Sequence, residues 1–419
     1  MQPNYSASVA LKVLHLSTYD ANGGAARAAY SLHRALLEYG VTSRMRVGVK
    51  HSDDPTVVQG SHRKFTTSSL LDRQLWRTQK SPRTTWRSPA RFSSISASEI
   101  NASGADVVNL HWVTDGLVSV EEIGKIEIPI VWSMYDMWPF SGSEHYGNID
   151  SRRWRDGYTK QNRPADESGF DLDRWTFDRK VRNWSSQTPH FHMIPASTWL
   201  ENATGESCLM REWSITRIPH VIDSDVFSPI DRTLARTRLD LPHEVPLILF
   251  LASAGISDRR KGWDLLAPAL RQVSMTLPNV NVVIAGPAPD PVTKQTAAQA
   301  TNSVLHWKGI ITSNEELRAL YCATDLVAVP SREDNMPLTA MEALTAGTPV
   351  VGFNIGGMKD IISEPDSGYL ARPQDTDDLA LGITKVLSSR NHDQRREHVE
   401  LPWLPGQVAS QYMSIYTQI

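Results

Sequence analysis

Short apolar runs alternate with longer segments of helical character along almost the whole chain. In the first half, an apolar run at residues 13–17 leads into the Gly23-Gly24 turn and then into an alanine-rich segment that stops near Gly40. Further apolar runs follow, each ending in polar residues: TSRMRVGV, DVVNLHW, IPIVWSMYD and FHMIPAS. This alternation is typical of strands and helices that build a parallel sheet.

A second series of the same kind starts near Pro246. Its predicted strands are LILFLASA, NVNVVIAGP, SVLHWKG, DLVAVP, TPVVGF and GYLARP, and helices are predicted from Trp263, from Glu315, after Pro337 and from Asp377. The pattern predicts an α/β fold of two doubly wound, Rossmann-like domains facing across a cleft, at residues 1–226 and 240–400. The polar stretch 222–242 would connect them, and residues 401–419 would pack back on the N-terminal domain. In such sheets ligands bind beyond the carboxyl ends of the strands.

The composition of the chain agrees with a two-domain globular fold. The 419 residues exceed one ordinary core, and 40% hydrophobic residues, 21% charged residues and a net charge of -3 are ordinary for a globular chain. The charge therefore does not indicate nucleic acid as a partner. Cys208 and Cys322 lie far apart, outside any metal or redox spacing, which fits a reducing, cytoplasmic compartment. We expect no signal peptide, because Lys12 and His15 interrupt the first apolar run, and no membrane helix, which needs roughly 20 apolar residues.

Two insertions, near residues 61–92 and 151–184, interrupt the first half. The first sets many cations against a single acid, Asp72, and interleaves them with apolar side chains. The cations are Arg63, Lys64, Arg73, Arg77, Lys80, Arg83, Arg87 and Arg91, and the apolar residues are Leu70, Leu71, Leu75, Trp76 and Trp86. This mixture favours peripheral contact with an anionic membrane surface or with an acceptor. A solvated helical excursion is the alternative. The second insertion is mixed in charge and rich in Trp.

The stretch PSREDNMPLTAMEALTAGTPVV combines acidic residues with a predicted helix start. Pro337 suits the first turn of a helix that ends at Gly347, with Asp334 in the preceding loop and Glu342 inside the helix. The free N–H groups of a helix start suit a phosphate, and a carboxylate further along can accept the hydroxyls of a ribose. The alternative is that Glu333 and Asp334 only cap the helix and that Glu342 is a surface residue. Small, apolar neighbours favour a buried Glu342, whose charge then needs a partner.

This stretch resembles the E-x7-E region of retaining, nucleotide-sugar-dependent glycosyltransferases of family 4, which have the GT-B fold. The resemblance extends, in order, over LHLSTYDANGGAARAAYSLHRAL, DVVNLHW, YDMWPFSG, IPHVIDSDVFSP, DRRKGWDLL, VVIAGP and GGMKDII. It implies that Glu342 binds the donor ribose and that Asp334 lies near the transferred sugar. The family usually has Glu at the Asp334 position and Gly-Phe-Gly where this chain has Asn335, Met336 and Pro337. Asn335 and Met336 are accordingly expected to bind the donor. The amides of Leu338 and Thr339 would then meet phosphate.

A pair of cations, Arg260 and Lys261, precedes Gly262 and a new helix. The resemblance implies that they hold the donor diphosphate through charge-assisted hydrogen bonds. Many family members place the Arg five residues before the Lys, where this chain has Ile256, so Arg260 is expected to supply the second cation. The alternative is a solvated turn.

Other glycines and strand ends complete the predicted donor site. Gly23 and Gly24 would let a ligand approach the backbone at a helix start. The resemblance implies that the loops at Gly286 and in HWKG, from His306, flank the nucleotide base. It also implies that backbone groups, more than side chains, recognise that base.

Two further strand ends are candidates for the acceptor side. Asp136 follows one first-domain strand, and Tyr135 stands where the family commonly has the His of a His-Asp pair. His111 follows the neighbouring strand and is either an acceptor-side residue or a satisfied core histidine. The two DxD sequences, at residues 171–173 and 223–225, are more simply explained as a charged surface excursion and a linker turn, so no metal or cofactor is expected.

The resemblance implies retaining transfer of a hexose from a nucleoside diphosphate sugar to a saccharide or polyprenyl-linked acceptor, in exopolysaccharide or lipopolysaccharide synthesis. UDP is expected as the nucleotide because it is the commonest in such systems. A peripheral location on the inner face of the plasma membrane would follow. The alternatives are a non-catalytic scaffold subunit and a non-hydrolysing sugar-nucleotide epimerase.

Overall fold

The computed structural model describes residues 11–21, 23–82, 85–147, 152–185, 190–363, 365–389 and 401–419. The chain folds as two compact units. The first comprises Met1–Val221 with Pro405–Ile419, and the second comprises Ile222–Leu404. The division thus falls at the start of the polar stretch 222–242.

Parallel strands form the centre of the first unit. Its strands are β1 (Lys12–Tyr19), β2 (Thr42–Val49), β3 (Val57–Gln59), β4 (Gln79–Lys80), β5 (Val107–Leu110), β6 (Ile130–Met134), β7 (Ser168–Gly169), β8 (Phe191–Pro195) and β9 (Ser214–Ile215). Seven of them form one sheet in the order β3-β2-β1-β5-β6-β8-β9, and β4 pairs antiparallel with β7 as a separate ribbon. The inner strands β5 and β6 are buried along their whole length, as their continuous apolar runs predict.

Helices cover the first sheet. They are α1 (Gly24–Glu38), α2 (His62–Trp76), α3 (Ala97–Asn101), α4 (Val120–Ile123), α5 (Arg153–Asp156), α6 (Leu172–Trp184) and α7 (Thr198–Glu206). The alanine-rich face of α1 is buried. The edge strand β3 was not predicted, because three residues carry too little pattern.

The second unit has a six-stranded parallel sheet in the order β12-β11-β10-β13-β14-β15. The strands are β10 (Leu247–Leu251), β11 (Asn281–Ala285), β12 (Val304–Gly309), β13 (Leu326–Val329), β14 (Val350–Phe353) and β15 (Gly368–Ala371). The helices are α8 (Arg232–Arg238), α9 (Trp263–Thr276), α10 (Pro291–Thr301), α11 (Asn314–Ala323), α12 (Leu338–Thr345), α13 (Met358–Ile361) and α14 (Thr376–Ser388). A last helix, α15 (Pro405–Tyr416), belongs to the first unit.

Both sheets reverse their strand order at the first strand of the series. In the first unit β1 lies between β2 and β5, and in the second unit β10 lies between β11 and β13. Ligands of open α/β sheets bind at such switch points, beyond the carboxyl ends of the strands. The segments that follow β1, β5, β10 and β13 are therefore where a site is expected.

The helix α15 packs against α1 and against the core of the first unit. Two phenols anchor it, because Asn109 Nδ2 donates to Tyr416 Oη at 2.7 Å and Tyr412 Oη lies 2.8 Å from Ser133 Oγ. Part of the predicted connection is likewise a helix of the second unit. In α8, Arg236 Nη2 lies 2.8 Å from Asp325 Oδ2.

Buried charges fix both insertions of the first unit, contrary to the prediction of a charged surface excursion at residues 171–173. Arg87 Nη2 lies 3.1 Å from Glu167, and Arg87 Nε lies 3.3 Å from Asp173. All three side chains are almost completely buried. Because the partners lie 80 and 86 residues apart in sequence, these bonds join the two insertions to each other.

A third buried acid, Glu144, lies in the same network. Burial, together with the nearby Asp173 carboxylate, raises the pKa of Glu144 to about 8. The Tyr158 hydroxyl donates to Glu144 Oε1, while Glu144 Oε2 has no hydrogen-bond donor facing it within the described residues. Beside them, the Lys180 ammonium donates to three main-chain carbonyls, and burial lowers the pKa of Lys180.

Candidate functional site

The loop between β13 and α12 is held by close backbone approach on two sides. A Cβ on Gly262 would lie 1.9 Å from the carbonyl oxygen of Pro330, and one on Gly356 would lie 1.7 Å from that of Asp334. Both glycines also have positive φ, at 75° and 51°. Only glycine fits these two positions, so the turn after β10 and the turn after β14 both press on the Asp334 loop.

Two cations from the turn after β10 meet Asp334 at the switch point of the second sheet. Lys261 Nζ lies 2.7 Å from Asp334 Oδ2, and Arg260 Nη1 lies 3.6 Å from the same oxygen. Arg260 Nη1 also donates to the carbonyl of Glu333 at 3.2 Å. The structure therefore brings together the three residues of this unit for which catalytic roles were predicted.

Arg332 ties the same two segments together and was not predicted. Its guanidinium is bidentate on Asp264 of α9, with both N–O distances at 2.7 Å. Its amide donates to the carbonyl of Arg260 at 2.8 Å, and Arg332 Nη1 donates to that of Arg259 at 2.6 Å. Arg332 thus fixes the backbone that carries Arg260. Its position in the loop before Asp334 was the only sequence signal.

The helix α12 begins at Leu338, four residues after Asp334, which contacts both cations. Pro337 precedes its first residue, Leu338, and no side chain of the described residues caps this start. The amides of Leu338 and Thr339 therefore belong to an uncapped first turn, as the sequence predicts for an anion site. The side chains of Asn335 and Met336, which precede Pro337, are buried. The carbonyl of Asn335 accepts the Gly357 amide at 2.6 Å.

Glu342 is a buried residue of α12 and not a surface acid. It is 2% exposed, and Tyr321 Oη donates to Glu342 Oε2 at 2.7 Å. A carboxylate removed from water requires such a donor. Sequence reasoning missed Tyr321, which lies in α11 and is recognisable only once α11 and α12 are seen to pack together.

Gly286 and His306, the two positions predicted to flank the base, have structural roles that need no ligand. A Cβ on Gly286 would lie 2.2 Å from the Ala252 carbonyl, and the Gly286 amide donates to Gly309 at 2.7 Å, so packing accounts for this glycine. His306 does not lie in the loop after β12. It is within the strand, and its Nε2 is 2.9 Å from the side chain of Asn281, the first residue of β11. Its imidazole is therefore directed away from the carboxyl edge.

In the first unit, Gly23 and Gly24 follow β1 at the other switch point. Gly23 has a φ of 90° and precedes the first residue of α1, a start that no side chain of the described residues caps. Asp20, also after β1, is buried and accepts hydrogen bonds from the amides of His51 and Ser52 at 2.8 and 2.9 Å. The Gly23-Gly24 turn thus starts from a fixed strand end.

His111 and Tyr135 form part of a buried chain of hydrogen bonds. His111 Nε2 lies 2.8 Å from His15 Nδ1, and His111 Nδ1 lies 2.9 Å from Tyr135 Oη. Burial, followed by the nearby His33 and His220, lowers the pKa of His111 to about 3, so the ring is neutral. Both ring nitrogens are occupied, which favours the core-histidine alternative for His111.

Asp136 has a histidine partner that the sequence did not reveal. His145 Nδ1 lies 2.6 Å from Asp136 Oδ2, and His145 Nε2 lies 2.8 Å from Ser88 Oγ. Asp136 Oδ1 also accepts the amide of Trp138 at 2.9 Å. An imidazole therefore adjoins Asp136 although Tyr135 stands at the usual histidine position. The only sequence signal was a His nine residues after Asp136.

A small cavity adjoins this pair. It encloses about 10 Å³, the room of roughly one water molecule. Its polar lining includes His111, Thr114, Tyr135, Asp136 and His145. Thr114 Oγ1 is buried and has no hydrogen-bond partner within the described residues. The segments at the ends of β5 and β6 therefore converge on one small cavity, whose lining also includes Trp112, Trp132 and Trp138.

Solved structures with a similar fold agree with the predicted fold class. The two Rossmann-like halves are those of GT-B glycosyltransferases, as predicted. The chain is similar to sucrose-phosphate synthase from Thermosynechococcus elongatus, with a TM-score of 0.65, 18% identity and coverage of 97% of this chain and 98% of that one. It is also similar to WaaG, a glycosyltransferase involved in lipopolysaccharide biosynthesis (TM-score 0.61, 16% identity, 95% and 99% coverage). At these identities the similarity shows the fold alone.

Sequence comparison narrows the class for the second unit. Residues 231–399 match the family model described as "Glycosyl transferases group 1". The chain is 30% identical over 184 residues to the D-inositol 3-phosphate glycosyltransferase of Stackebrandtia nassauensis (42% of this chain, 41% of that one). It is 34% identical over 172 residues to that of Xylanimonas cellulosilytica (38% and 39%). These alignments span about two fifths of the length of the curated relatives. For residues 231–399, this match agrees with the predicted glycosyltransferase class.

Proposed function

We propose that the protein transfers a hexose, with retention, from a nucleoside diphosphate sugar to a hydroxyl of a saccharide or lipid-linked saccharide. The observation that carries this proposal is the meeting of Arg260 and Lys261 with Asp334 at the switch point of the second sheet. The three residues lie inside the stretch that matches the glycosyltransferase family. Two adjacent cations beside an uncapped helix start fit a diphosphate.

The geometry suggests a separate role for each of these residues during transfer. The transition state carries positive charge on the sugar ring, and negative charge grows on the departing diphosphate. Arg260, Lys261 and the first amides of α12 would stabilise that growing negative charge, which is differential binding of the transition state. Asp334 would face the transferred sugar, and Glu342 would accept the ribose hydroxyls.

The finer parts of the proposal rest on the resemblance of the motifs. Retention would come from attack on the same face that the leaving group departs from, with a phosphate oxygen helping to deprotonate the acceptor, and without a required metal. UDP is the proposed nucleotide, and a similar structure, HepE of Anabaena, is a complex with UDP and glucose (TM-score 0.60, 15% identity, 97% of this chain and 98% of that one). A role in exopolysaccharide or lipopolysaccharide synthesis is proposed on the same ground.

The proposal is tested first by binding and then by turnover. Thermal unfolding is measured with UDP, GDP and ADP, since a ligand at 100 times its Kd adds about 2.7 kcal/mol of stability. The nucleotide that binds then selects the sugar donors for a transfer assay across saccharide acceptors. If none of the three nucleotides stabilises the protein, the proposal is contradicted. Binding without turnover supports the scaffold alternative, and a changed sugar nucleotide without any acceptor supports the epimerase alternative.

One surface of the first unit supports a membrane location. The outward side chains of α2 include Arg63 and Leu70, seven residues apart on one face, and the exposed Arg77 follows directly after the helix. Leu70 is 55% exposed, and Leu71 beside it is 42% exposed. Asp72, the single acid of this insertion, is buried and accepts the amides of residues 91 and 92.

The surface continues beyond the end of α2. The rings of Trp76 and Trp86 lie 4.8 Å apart, and Trp86 is 42% exposed. The Phe170 amide donates to Thr78 at 3.0 Å, which brings the half-exposed Phe170 ring beside the same turn. We propose that this basic, apolar surface, together with exposed Lys80, docks on a bilayer that contains anionic lipid. No helix among the described residues has the length and apolar character needed to cross a bilayer.

A further inference from the structure

One hydrogen bond joins the helix of the proposed ribose-binding carboxylate to the preceding helix. Tyr321 Oη in α11 donates to Glu342 Oε2 in α12 at 2.7 Å. Tyr321 is 0% exposed, and Glu342 is 2% exposed. Water therefore cannot replace this donor, and the direction of the phenol O–H determines how one carboxylate oxygen is oriented.

The phenol is itself held in place. Thr348 Oγ1, just after α12, donates to the main-chain carbonyl of Tyr321 at 2.7 Å. Cys322 Sγ lies 3.7 Å from the carbonyl of Ala346. The Tyr321 ring also packs against Phe227, with centroids 6.1 Å apart. The ends of α11 and α12 are thus joined around the Tyr321–Glu342 pair.

We infer that Tyr321 is a positioning residue, which aims the Glu342 carboxylate at the ribose of the donor and so gives the site its selectivity for the ribose hydroxyls. This inference rests on the proposed function. The terminal torsion of a Glu side chain is broad when nothing holds it. A carboxylate fixed at one oxygen by Tyr321 presents one orientation only. A site built in this way to bind a hydroxyl discriminates strongly against an analogue that lacks it, because its polar atoms are then left unpaired.

The test compares ribose selectivity in the wild-type protein and in Tyr321→Phe. Isothermal titration measures binding of whichever of UDP, GDP and ADP binds best, and of its 2′-deoxy and 3′-deoxy analogues. We expect wild type to lose about tenfold or more in affinity for at least one deoxy analogue. Tyr321→Phe should bind the parent nucleotide about tenfold more weakly but bind that analogue as wild type does. A merely structural tyrosine would weaken both ligands equally.

Matched variants separate this effect from general loosening of the fold. Tyr369→Phe removes a phenol that donates to Asp378 at 2.8 Å in the same unit, and it should change neither affinity. Glu342→Gln should lose the same selectivity, and combining it with Tyr321→Phe should add little. If Tyr321→Phe does not fold, Thr348→Val, which removes one of the donors to the Tyr321 carbonyl, should show a smaller loss of selectivity.

The outcomes are distinguishable from a failure of the proposed function. If wild type binds no nucleoside diphosphate, the proposed function is wrong. If wild type binds and discriminates, but Tyr321→Phe discriminates equally well, the role of Tyr321 is wrong and the proposed function is unaffected. Equal weakening of parent and deoxy analogue overturns the inference in the same way.

Discussion

Lys261 Nζ lies 2.7 Å from Asp334 Oδ2, although 73 residues separate the two in sequence. The contact is partly buried, with 19% and 12% of the two side chains exposed. Arg260 shares the same carboxylate oxygen. Asp334 therefore holds both cations in a fixed geometry, and a site arranged in advance stabilises charge without having to reorganise during the reaction.

Replacing Lys261 should impair the reaction far more than the fold. We expect Lys261→Ala to reduce kcat/KM by about 10²–10³-fold, the range for removing one fixed electrostatic contact from a transition state. Steady-state kinetics with the cognate sugar nucleotide measure this change. Arg238→Ala is the control, since it removes an exposed cation paired with Glu315 in the same unit. Unchanged kcat/KM in Lys261→Ala would remove this residue from the proposed mechanism.

Neutralising Asp334 should separate binding from turnover. In Asp334→Asn the two cations lose their internal anion, so a nucleoside diphosphate should bind at least as tightly as before. Turnover should fall by about 10²-fold, because the side chain proposed to face the sugar has lost its charge. Titration calorimetry gives the first quantity and kcat gives the second. Weaker nucleotide binding together with normal kcat would contradict the assignment.

The sequence predicted the residues of the Lys261–Asp334 group because each belongs to a short motif at a strand end. Strand ends of a parallel sheet converge on one edge, so adjacency in the fold follows from order along the chain. Arg332, Tyr321 and His145 could not be found in this way. Their roles depend on contacts between elements whose packing is not encoded in local spacing.

Burial of charge was predicted for Glu342 but could not be predicted for the two insertions. Asp173 reads as one acid of a polar insertion, yet its partners Arg87 and Gln79 come from a segment more than 80 residues earlier. His306 shows the converse. The resemblance placed His306 beside the base, at the end of the predicted strand SVLHWKG, but the strand extends to Gly309 and directs the imidazole toward the other end of the sheet.

The pair of Asp136 and His145 should act as a unit in the acceptor step. We expect Asp136→Asn and His145→Gln each to lower kcat with little change in the KM of the sugar nucleotide. The double variant should be little worse than either single one, because contacting residues are not additive. Kinetics with donor and acceptor varied separately measure this. Additive losses, or a raised donor KM alone, would show that the pair does not act there.

Glu144 should make the free energy of unfolding depend on pH. Burial and the neighbouring Asp173 raise its pKa from 4.5 to about 8. Between these values the folded chain binds more protons than the unfolded chain, so this residue lowers stability as pH rises, by at most about 1.4 kcal/mol per pH unit. Below pH 4.5 the residue is neutral in both states and its effect is absent.

The variant Glu144→Gln tests this dependence, because it stays neutral and keeps a similar shape. Urea unfolding at pH values from 5 to 8.5 should show the variant gaining stability over wild type as pH rises. Tyr158, Asp173 and Lys180 also face this position, so the difference between variant and wild type is the quantity to follow. Glu38→Gln, on the exposed end of α1, is the control. A difference that is constant with pH would show that Glu144 does not titrate in this range.

The basic, apolar surface of α2 should bind anionic bilayers through charge and insertion together. Exchanging Arg63, Arg77 and Lys80 for Gln should reduce sedimentation with liposomes that contain phosphatidylglycerol, at about 1 kcal/mol for each cation near the membrane. Binding by wild type should also fall with added salt, since the Debye length shortens from about 10 Å at 0.1 M to about 3 Å at 1 M.

Insertion is tested separately from charge on the same liposomes. Leu70→Ser with Trp86→Ser should weaken binding that persists at high salt, whereas Tyr39→Ser, at a half-exposed ring of the same unit outside this surface, should not. Nucleotide binding by the second unit is expected to stay unchanged in every one of these variants, which guards against loss of fold. If wild type is not retained by anionic liposomes even at low salt, this surface is not a membrane surface and the lipid-linked acceptor loses its support.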